Sequence, residues 1–299
     1  MKEGHKPVLV VTGAAGQLGR RVVELLLESQ AGRIVATTRN PKRIADLADR
    51  GAIVRHADFD EPRSLINAFD GAERLLLIST DAVDLPGRRV KQHKEAIEAA
   101  KRAGVQHIVY TSVTNPEPPT PVLVAQDHWD TEQLVAASGL SWTVLRNNVY
   151  SEVILIALPD AVVRGQLPAA AGEDGAAWVT REDCARVAAA ILASSETSNR
   201  AIDVTGPAVV NYHEIARLAT ELTGHPVSYL PLEPEAFRAN VVANGLPEFV
   251  ADLFLSFHLG MAQGKFAPAT SAVEELTGRR PTSVAEFLAT HRNVLVSRA

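Results

Sequence analysis

A single cysteine, Cys184, stands in a chain of 299 residues. Intrachain disulfides are thereby excluded, and a chain without such staples suits a reducing, cytoplasmic compartment. No stretch approaches the roughly 18 consecutive apolar residues that a membrane helix needs. The most apolar segment, EVILIALPDAVV, is short and carries Pro159 and Asp160. The start, MKEGHKPVLVV, lacks the apolar core and small-residue cleavage site of a signal peptide. Positive charge is not in excess either. Thirty basic residues meet thirty-five acidic ones for a net charge of −5, and the clustered basic footprint of a nucleic-acid binder is missing. Aromatic residues make up only 5%, which leaves no clear stacking cage for a particular flat ligand. Lysine disappears altogether between Lys101 and Lys265, and that gap bears on catalysis below.

What is present is a regular alternation. VLVVT, RIVATT, AIVRHA, ERLLLIST, VQHIVYTS and SWTVLR read as six buried strands, each followed by or following an amphipathic helical stretch. Continuous apolar strands that alternate with helices predict a parallel sheet covered on both faces, a doubly wound α/β (Rossmann) fold. After Arg146 the rhythm breaks. Residues 151–177 are rich in Ala, Pro and Gly. AAWVTREDCARVAAAILAS reads as a short strand and a helix capped by Asp183 or Thr180, and AIDVTG as a further strand. The expected organisation is a nucleotide-binding lobe over 1–150, completed near 178–206. A smaller, mostly helical lobe over 151–177 and 207–299 would cover it. The apolar stretch FVADLFLSFHLG fits either a cap over a pocket or a face for a second copy, so a homodimer is compatible with the sequence.

TGAAGQLG follows the first strand and opens the first helix. Gly13 allows the sharp turn, Gly16 the approach of a pyrophosphate, and Gly19 close packing of helix on strand. The free N–H groups of the helix start would meet the phosphates. Ala14, Ala15, Gln17 and Leu18 complete that turn. An NAD site places an acidic residue at the end of the second strand, but this chain has Arg39 there, with Lys42 and Arg43 nearby. A guanidinium suits a 2′-phosphate, so NADPH is expected over NADH. Asp58, after the third strand, fits either an adenine amino group or an N-cap for the helix after Pro62. Ser79, Thr80, Thr111, Ser112, Asn147 and Asn148 all fall at the carboxyl ends of strands, where open α/β sheets bind ligands.

Together with TRNPKR, LLLIST, AGVQHIVYTS, TVLRNNVYSE, GLPEFVADLF and GRRPTSVAEFL, the glycine turn resembles the NmrA-like, atypical short-chain dehydrogenase/reductases. The likeness covers nearly the whole chain and leans toward the branch of NADPH:quinone oxidoreductases and triphenylmethane reductases. It implies that Gly13–Leu18 hold the pyrophosphate and Arg39 the 2′-phosphate. It also implies that Ser79 and Thr80 pass along the cofactor, and that Thr143–Asn148 wall the nicotinamide.

The chain departs from ordinary short-chain dehydrogenases, which protonate an alkoxide through a tyrosine four residues before a lysine. Here the four tyrosines are followed at that distance by Thr114, Ile154, Ala216 and Glu233. Two function classes remain. One is hydride transfer to a small-molecule acceptor that needs little acid help, such as a quinone or a cationic dye. The other is a non-catalytic NADP(H)-binding redox sensor, as in NmrA-like regulators. Candidate helpers are His128, spaced i, i+4 from Glu132 on one helix, and Tyr150, just beyond the sixth strand. His128 is expected either as a proton donor or as a surface histidine paired on its own helix. YHEIAR lacks the second histidine of a zinc-protease motif, no metal spacing is found, and Cys184 reads as a packed structural residue.

Overall fold

The computed structural model describes residues 6–297. By its internal contacts the chain divides into two compact units. One is Met1–Ser112, Asp127–Arg146 and Glu182–Ile202, the other Val113–Gln126, Asn147–Arg181 and Asp203–Ala299. Residues 113–126, expected in the nucleotide-binding lobe, belong to the second unit.

The first unit is built on β1 (Val8–Val11), β2 (Arg33–Thr38), β3 (Ile53–His56), β4 (Arg74–Leu77), β5 (His107–Val113), β6 (Ser141–Asn147) and β9 (Arg200–Val204). These form one sheet in the order β3-β2-β1-β4-β5-β6-β9. The pairings of β2 with β3, β1 with β2, β1 with β4, and β4 with β5 are parallel. Between them run α1 (Gln17–Glu28), α2 (Ala45–Asp49), α3 (Pro62–Phe69), α4 (Arg88–Arg102), α5 (Ala125–Ala136) and α7 (Arg181–Ala193). Every residue of β4 and β5 is buried, as strands covered on both faces must be. Helix α1 buries Leu18, Val22, Val23 and Leu26 at helical spacing, each contributing roughly 1.5–3 kcal/mol of apolar burial. A core of Val10, Leu65, Phe69, Leu75, Ile97, Ile108, Tyr110 and Val144 fills the α3–α4 side. The strand order reverses between β1 and β4, which marks the carboxyl ends of those two strands as the ligand crevice.

The second unit gathers α6 (Ile154–Arg164), β7 (Gln166–Ala169), β8 (Gly175–Ala176), β10 (Val210–Asn211), α8 (Tyr212–Thr223), β11 (Ser228–Pro231) and α9 (Pro234–Ala243). It continues with α10 (Glu248–Ala262), α11 (Ala272–Thr277), α12 (Val284–Thr290) and α13 (Arg292–Leu295). β7 pairs with β11 in parallel and β8 with β10 antiparallel. Its core centres on Leu158, Trp178, Ile215, Phe266 and Leu288. Here the structure differs from the sequence reading. A helix runs through Pro159, because Ile154, Leu158, Ala161 and Val162 bury one stripe and hold it in place. Helix α5 begins at Ala125, one turn before the DTEQL stretch. Asp183 is not the cap of α7: it lies inside the helix, fully buried, and accepts from Arg186. Among the described residues no helix is long and apolar enough to cross a membrane.

Candidate functional site

The glycine turn forms as its residue types require. Gly13 has φ +62°, the left-handed region that favours glycine, and its carbonyl accepts from the Gly16 amide at 2.9 Å. A Cβ on Gly19 would lie 2.4 Å from that same carbonyl oxygen, so only glycine lets α1 approach β1 this closely. Ala14 is pinned by its amide to the Thr37 carbonyl at 3.0 Å. Gly16 is the N-cap of α1, no side chain caps the helix, and Gly13, Gly16 and Gln17 are exposed. The first amides of α1 therefore point outward with the positive end of the helix dipole.

Arg39 lies one residue beyond β2 and is exposed. The Asn40 side chain accepts from the Lys42 amide and caps the following short turn, which sets the course of the basic segment. Arg39, Lys42 and Arg43 form no side-chain ion pair among the described residues, whereas neighbouring Arg20 is taken by Asp46 at 2.6 Å. The carboxyl that senses Arg39 is that of Asp60. It is held below the usual carboxylate range first by Arg88, then by Gln92, with a smaller contribution from Arg39. Asp58 is not the N-cap of α3, a position that falls to Glu61. Its carboxylate instead accepts from the Asp60 amide at 3.0 Å.

Past the end of β4, three successive amides have no strand partner, and each is captured by a side chain from a different element. Ile78 N donates to Thr12 Oγ1 at 2.9 Å, Ser79 N to Thr111 Oγ1 at 2.9 Å, and Thr80 N to His93 Nε2 at 3.0 Å. Thr111 Oγ1 also donates to Ser79 Oγ at 3.3 Å. Thr111 thus supports the turn, and the partly exposed Ser79 and Thr80 are what the turn presents, with the Thr80 hydroxyl 3.5 Å from His93 Nε2.

Behind this turn lies a buried polar cluster that sequence reasoning missed. His128 is 5% exposed. Arg89 Nη2 must donate to its Nε2 (3.0 Å), so Nδ1 carries the proton and donates to Tyr110 Oη (2.9 Å). Burial, reinforced by the charges of Arg89 and His93, holds His128 well below the usual histidine range. Neither expectation for His128 stands. It is not on the surface, and both ring nitrogens are engaged inside the unit. Nor does it pair with Glu132. That carboxylate accepts from Ser112 Oγ at 2.6 Å and is gripped by Arg146 at 2.7 and 3.1 Å. Ser112 therefore spends its hydroxyl proton on Glu132. The signal for this cluster was present in α4. The buried stripe of Ala96, Ile97 and Ala100, carried back one turn and then a second, falls on His93 and Arg89.

Thr143 is also misplaced by the sequence reading. It is buried against His107 Nε2 at 3.0 Å, and His107 is the first residue of β5, in register with Arg74 at the start of β4. That is the amino end of the sheet, opposite the ligand crevice. The resemblance placed it in the nicotinamide wall, but it lies early in β6 and not at its carboxyl end.

In the second unit, Asn148 is 3% exposed and internally satisfied. Its Nδ2 donates to the Phe266 carbonyl, its Oδ1 accepts from Val149 N, and its own amide donates to Val204 O. Asn147 differs. Its Nδ2 donates to Tyr150 Oη at 3.1 Å, while its buried Oδ1 has no hydrogen-bond partner among the described residues. The Tyr150 ring lies under the Arg181 guanidinium, 4.7 Å from the ring centroid. Glu152 accepts from the Arg181 amide at 3.0 Å, placing a carboxylate on the first N–H of α7. Cys184 is buried.

The profile of the NmrA-like family matches residues 5–288. The chain belongs to the NmrA-like family. Over 288 residues, 96% of this chain and 99% of the relative, it is 35% identical to quinone oxidoreductase 2 of Escherichia coli strain K12. Its fold superposes with a TM-score of 0.89 on the crystal structure of an NADPH-dependent quinone oxidoreductase from E. coli complexed with NADPH. That match has 35% identity and covers 95% of this chain and 99% of the other. The triphenylmethane reductase of Citrobacter sp., complexed with NADP(H), also superposes with a TM-score of 0.89. Identity there is 30%, over 95% of this chain and 99% of the other.

Proposed function

We propose that this protein is an NADPH-dependent oxidoreductase that delivers hydride to a quinone or to a similarly conjugated, electron-poor small molecule. The observation that carries this reading is the state of helix α5. The residues spaced by four on that helix are His128 and Glu132, not tyrosine and lysine, and both are turned into internal hydrogen bonds. A helix committed in this way offers no acid to an alkoxide. Acceptors that tolerate this are quinones, whose reduction gives a stabilised phenolate, and carbocationic dyes, which hydride simply neutralises. Quinone oxidoreductase 2 and triphenylmethane reductase are both named for such acceptors.

The chain fits the cofactor. The uncapped start of α1, with Gly13, Ala14, Ala15, Gly16, Gln17 and Leu18, would hold the pyrophosphate. Arg39, aided by Lys42 and Arg43, would hold the 2′-phosphate, a dianion for which no carboxylate among the described residues competes at ion-pair distance. The hydroxyls of Ser79 and Thr80 suit the cofactor's polar edge. In the second unit, the buried Oδ1 of Asn147, without a hydrogen-bond partner among the described residues, suits an amide donor, and the Tyr150 ring suits a flat ring. When bound, NADPH supplies the hydride, and the chain supplies binding and orientation. The single, buried Cys184 suits the reducing cytoplasm, where we place the protein.

The test is oxidation of NADPH in the presence of benzoquinones, naphthoquinones, a cationic triphenylmethane dye and simple ketones, with NADH as control. Turnover with a quinone or the dye, none with ketones, and a preference for NADPH of about tenfold or more are expected. Tight NADPH binding without turnover on any acceptor would replace the enzyme with a redox-sensing regulator.

A further inference from the structure

We infer that His93 is a positioning residue for the cofactor. As a neutral hydrogen-bond acceptor it fixes the Ser79–Thr80 turn, so that this turn recognises the cofactor through hydroxyls and not through backbone amides. The inference rests on the reading of the β1/β4 crevice as the NADPH site.

The geometry leaves one arrangement of protons. Thr80 N–H can only donate, so His93 Nε2 accepts and Nδ1 carries the proton. That proton goes to Thr131 Oγ1 at 2.9 Å, and Thr131 in turn donates to the Asp127 carbonyl at 2.7 Å. Both bonds of Thr131 are thereby assigned a direction, and the imidazole is held in one tautomer. The ring is fully buried and meets Tyr110 edge-on at 5.5 Å between centroids, so it has no alternative orientation to relax into. A protonated ring would turn an N–H toward the Thr80 N–H. Burial, with Arg89 beside it, pulls the histidine down to about 3, which favours the neutral ring and its acceptor lone pair.

The consequence is local. With the amides of Ile78, Ser79 and Thr80 occupied by Thr12, Thr111 and His93, none is available to a phosphate or a carbonyl of a ligand. Thr12 and Thr111 extend from strands next to β4. His93 comes from a helix, and it captures the amide furthest from the strand, where no sheet bond constrains the chain. Without it, the turn is free to rotate its amide, and the hydroxyls of Ser79 and Thr80 lose their direction. Binding then carries the ordering cost that the clamp otherwise meets in advance.

Three forms of the full chain decide the matter: wild type, His93→Phe and His93→Gln. NADPH affinity is measured by fluorescence titration, kcat at saturating NADPH with a quinone, and backbone hydrogen exchange of the segment around Thr80 without cofactor. Glutamine returns an acceptor oxygen near the Nε2 position, and phenylalanine fills the space without one. His93→Phe is expected to weaken NADPH binding about fivefold or more, keep kcat within about twofold, and speed exchange at Thr80 about tenfold. His93→Gln is expected to restore affinity and protection to within about twofold of wild type. Unchanged affinity in His93→Phe overturns the inference. So does an equal loss in both variants, which would mark a packing role. If His93→Phe does not fold, Thr131→Val keeps the imidazole but removes the partner of Nδ1–H. It should weaken NADPH about threefold, and wild-type affinity there overturns the inference too. A wild type that binds no NADPH at all sinks the cofactor reading instead, and exchange at Thr80 still reports whether the clamp exists.

Discussion

Arg146 and Glu132 meet through two parallel hydrogen bonds, Nη2 to Oε2 at 2.7 Å and Nε to Oε1 at 3.1 Å, with side chains only 16% and 7% exposed. The pair ties α5 to β6, and Ser112 Oγ ties both to β5. Removing one partner strands the other charge in a poorly solvated place. Glu132→Ala should therefore lower unfolding free energy by roughly 3 kcal/mol in urea titrations. The double replacement Glu132→Leu with Arg146→Met, which removes both charges and keeps volume, should recover most of that loss. A double variant as unstable as the single one would show that the pair is not what holds these elements together.

The glycine turn makes a second, sharper prediction. Alanine at position 19 would place its Cβ 2.4 Å from a backbone oxygen, which has no rotamer with which to yield. Helix α1 must then lift from β1, at a cost of about 1–3 kcal/mol and with displacement of its first amides. Gly19→Ala should lower the melting temperature and reduce NADPH affinity together. Alanine at Gly51, where nothing lies within 4 Å, carries only the strain of its positive φ and should leave NADPH affinity unchanged.

Arg39 should separate the two nicotinamide cofactors. Among the described residues it has no ion pair to lose, so Arg39→Ala removes only its weak electrostatic influence on Asp60 from the protein. A charge-assisted bond to a phosphate contributes about 1.5–3 kcal/mol, so NADPH affinity should fall about 10- to 100-fold while NADH affinity stays constant. Parallel titrations with both cofactors check this, and an equal change in both would remove Arg39 from the 2′-phosphate.

Much of this was legible in advance because it is local chemistry. Strand and helix alternation, the glycine spacing and the basic residue after β2 are each readable from a short local stretch of sequence. The errors have a common origin. Thr143 was placed near the crevice by the family resemblance, whereas its partner His107, which lies at the amino end of β5, is remote in sequence. Asn148 was chosen for its place at the end of β6, while Phe266 and Val204, which engage it, are remote in sequence. His128 and Glu132 were paired because helical spacing is visible in sequence, whereas Arg89 and Arg146, which actually hold them, are not on that helix. Nothing local marks Thr12, His93 and Thr111 as three parts of one clamp.

The buried histidines should give the fold a steep acid limit. His107 and His258 are pulled down to about 4, and His93 to about 3, by burial first, while His128 lies well below its usual range. In the unfolded chain each returns to about 6.5. Below that pH the unfolded state binds protons that the folded state refuses, so stability falls as pH falls, and it is fully present above about 6.5. Each such histidine contributes up to about 1.4 kcal/mol per pH unit between about 6.5 and its folded value. Urea midpoints should therefore drop between pH 7.5 and 5.5, and His107→Asn should shrink the drop by one histidine's share. A wild-type midpoint that does not move across this range contradicts the argument.

Tyr150 tests the acceptor side of the proposed function. Its phenol oxygen accepts from Asn147 Nδ2, and its ring lies under Arg181. Tyr150→Phe keeps the ring and the cation above it but removes the oxygen. The Asn147 amide, already with an unpartnered Oδ1, then loses the bond that orients it. If Tyr150 meets the acceptor, turnover with a quinone should fall about tenfold, since a buried amide set adrift and a lost polar contact each cost about 1 kcal/mol. If the phosphate contacts proposed for the first unit dominate NADPH affinity, that affinity should change less than about threefold. Arg181→Gln separates the two contributions: it leaves the phenol and the Asn147 bond in place but removes the cation, so its effect on turnover should be smaller. Loss of NADPH affinity equal to the loss of turnover in Tyr150→Phe would move this tyrosine from the acceptor to the cofactor, and with it the assignment of Asn147.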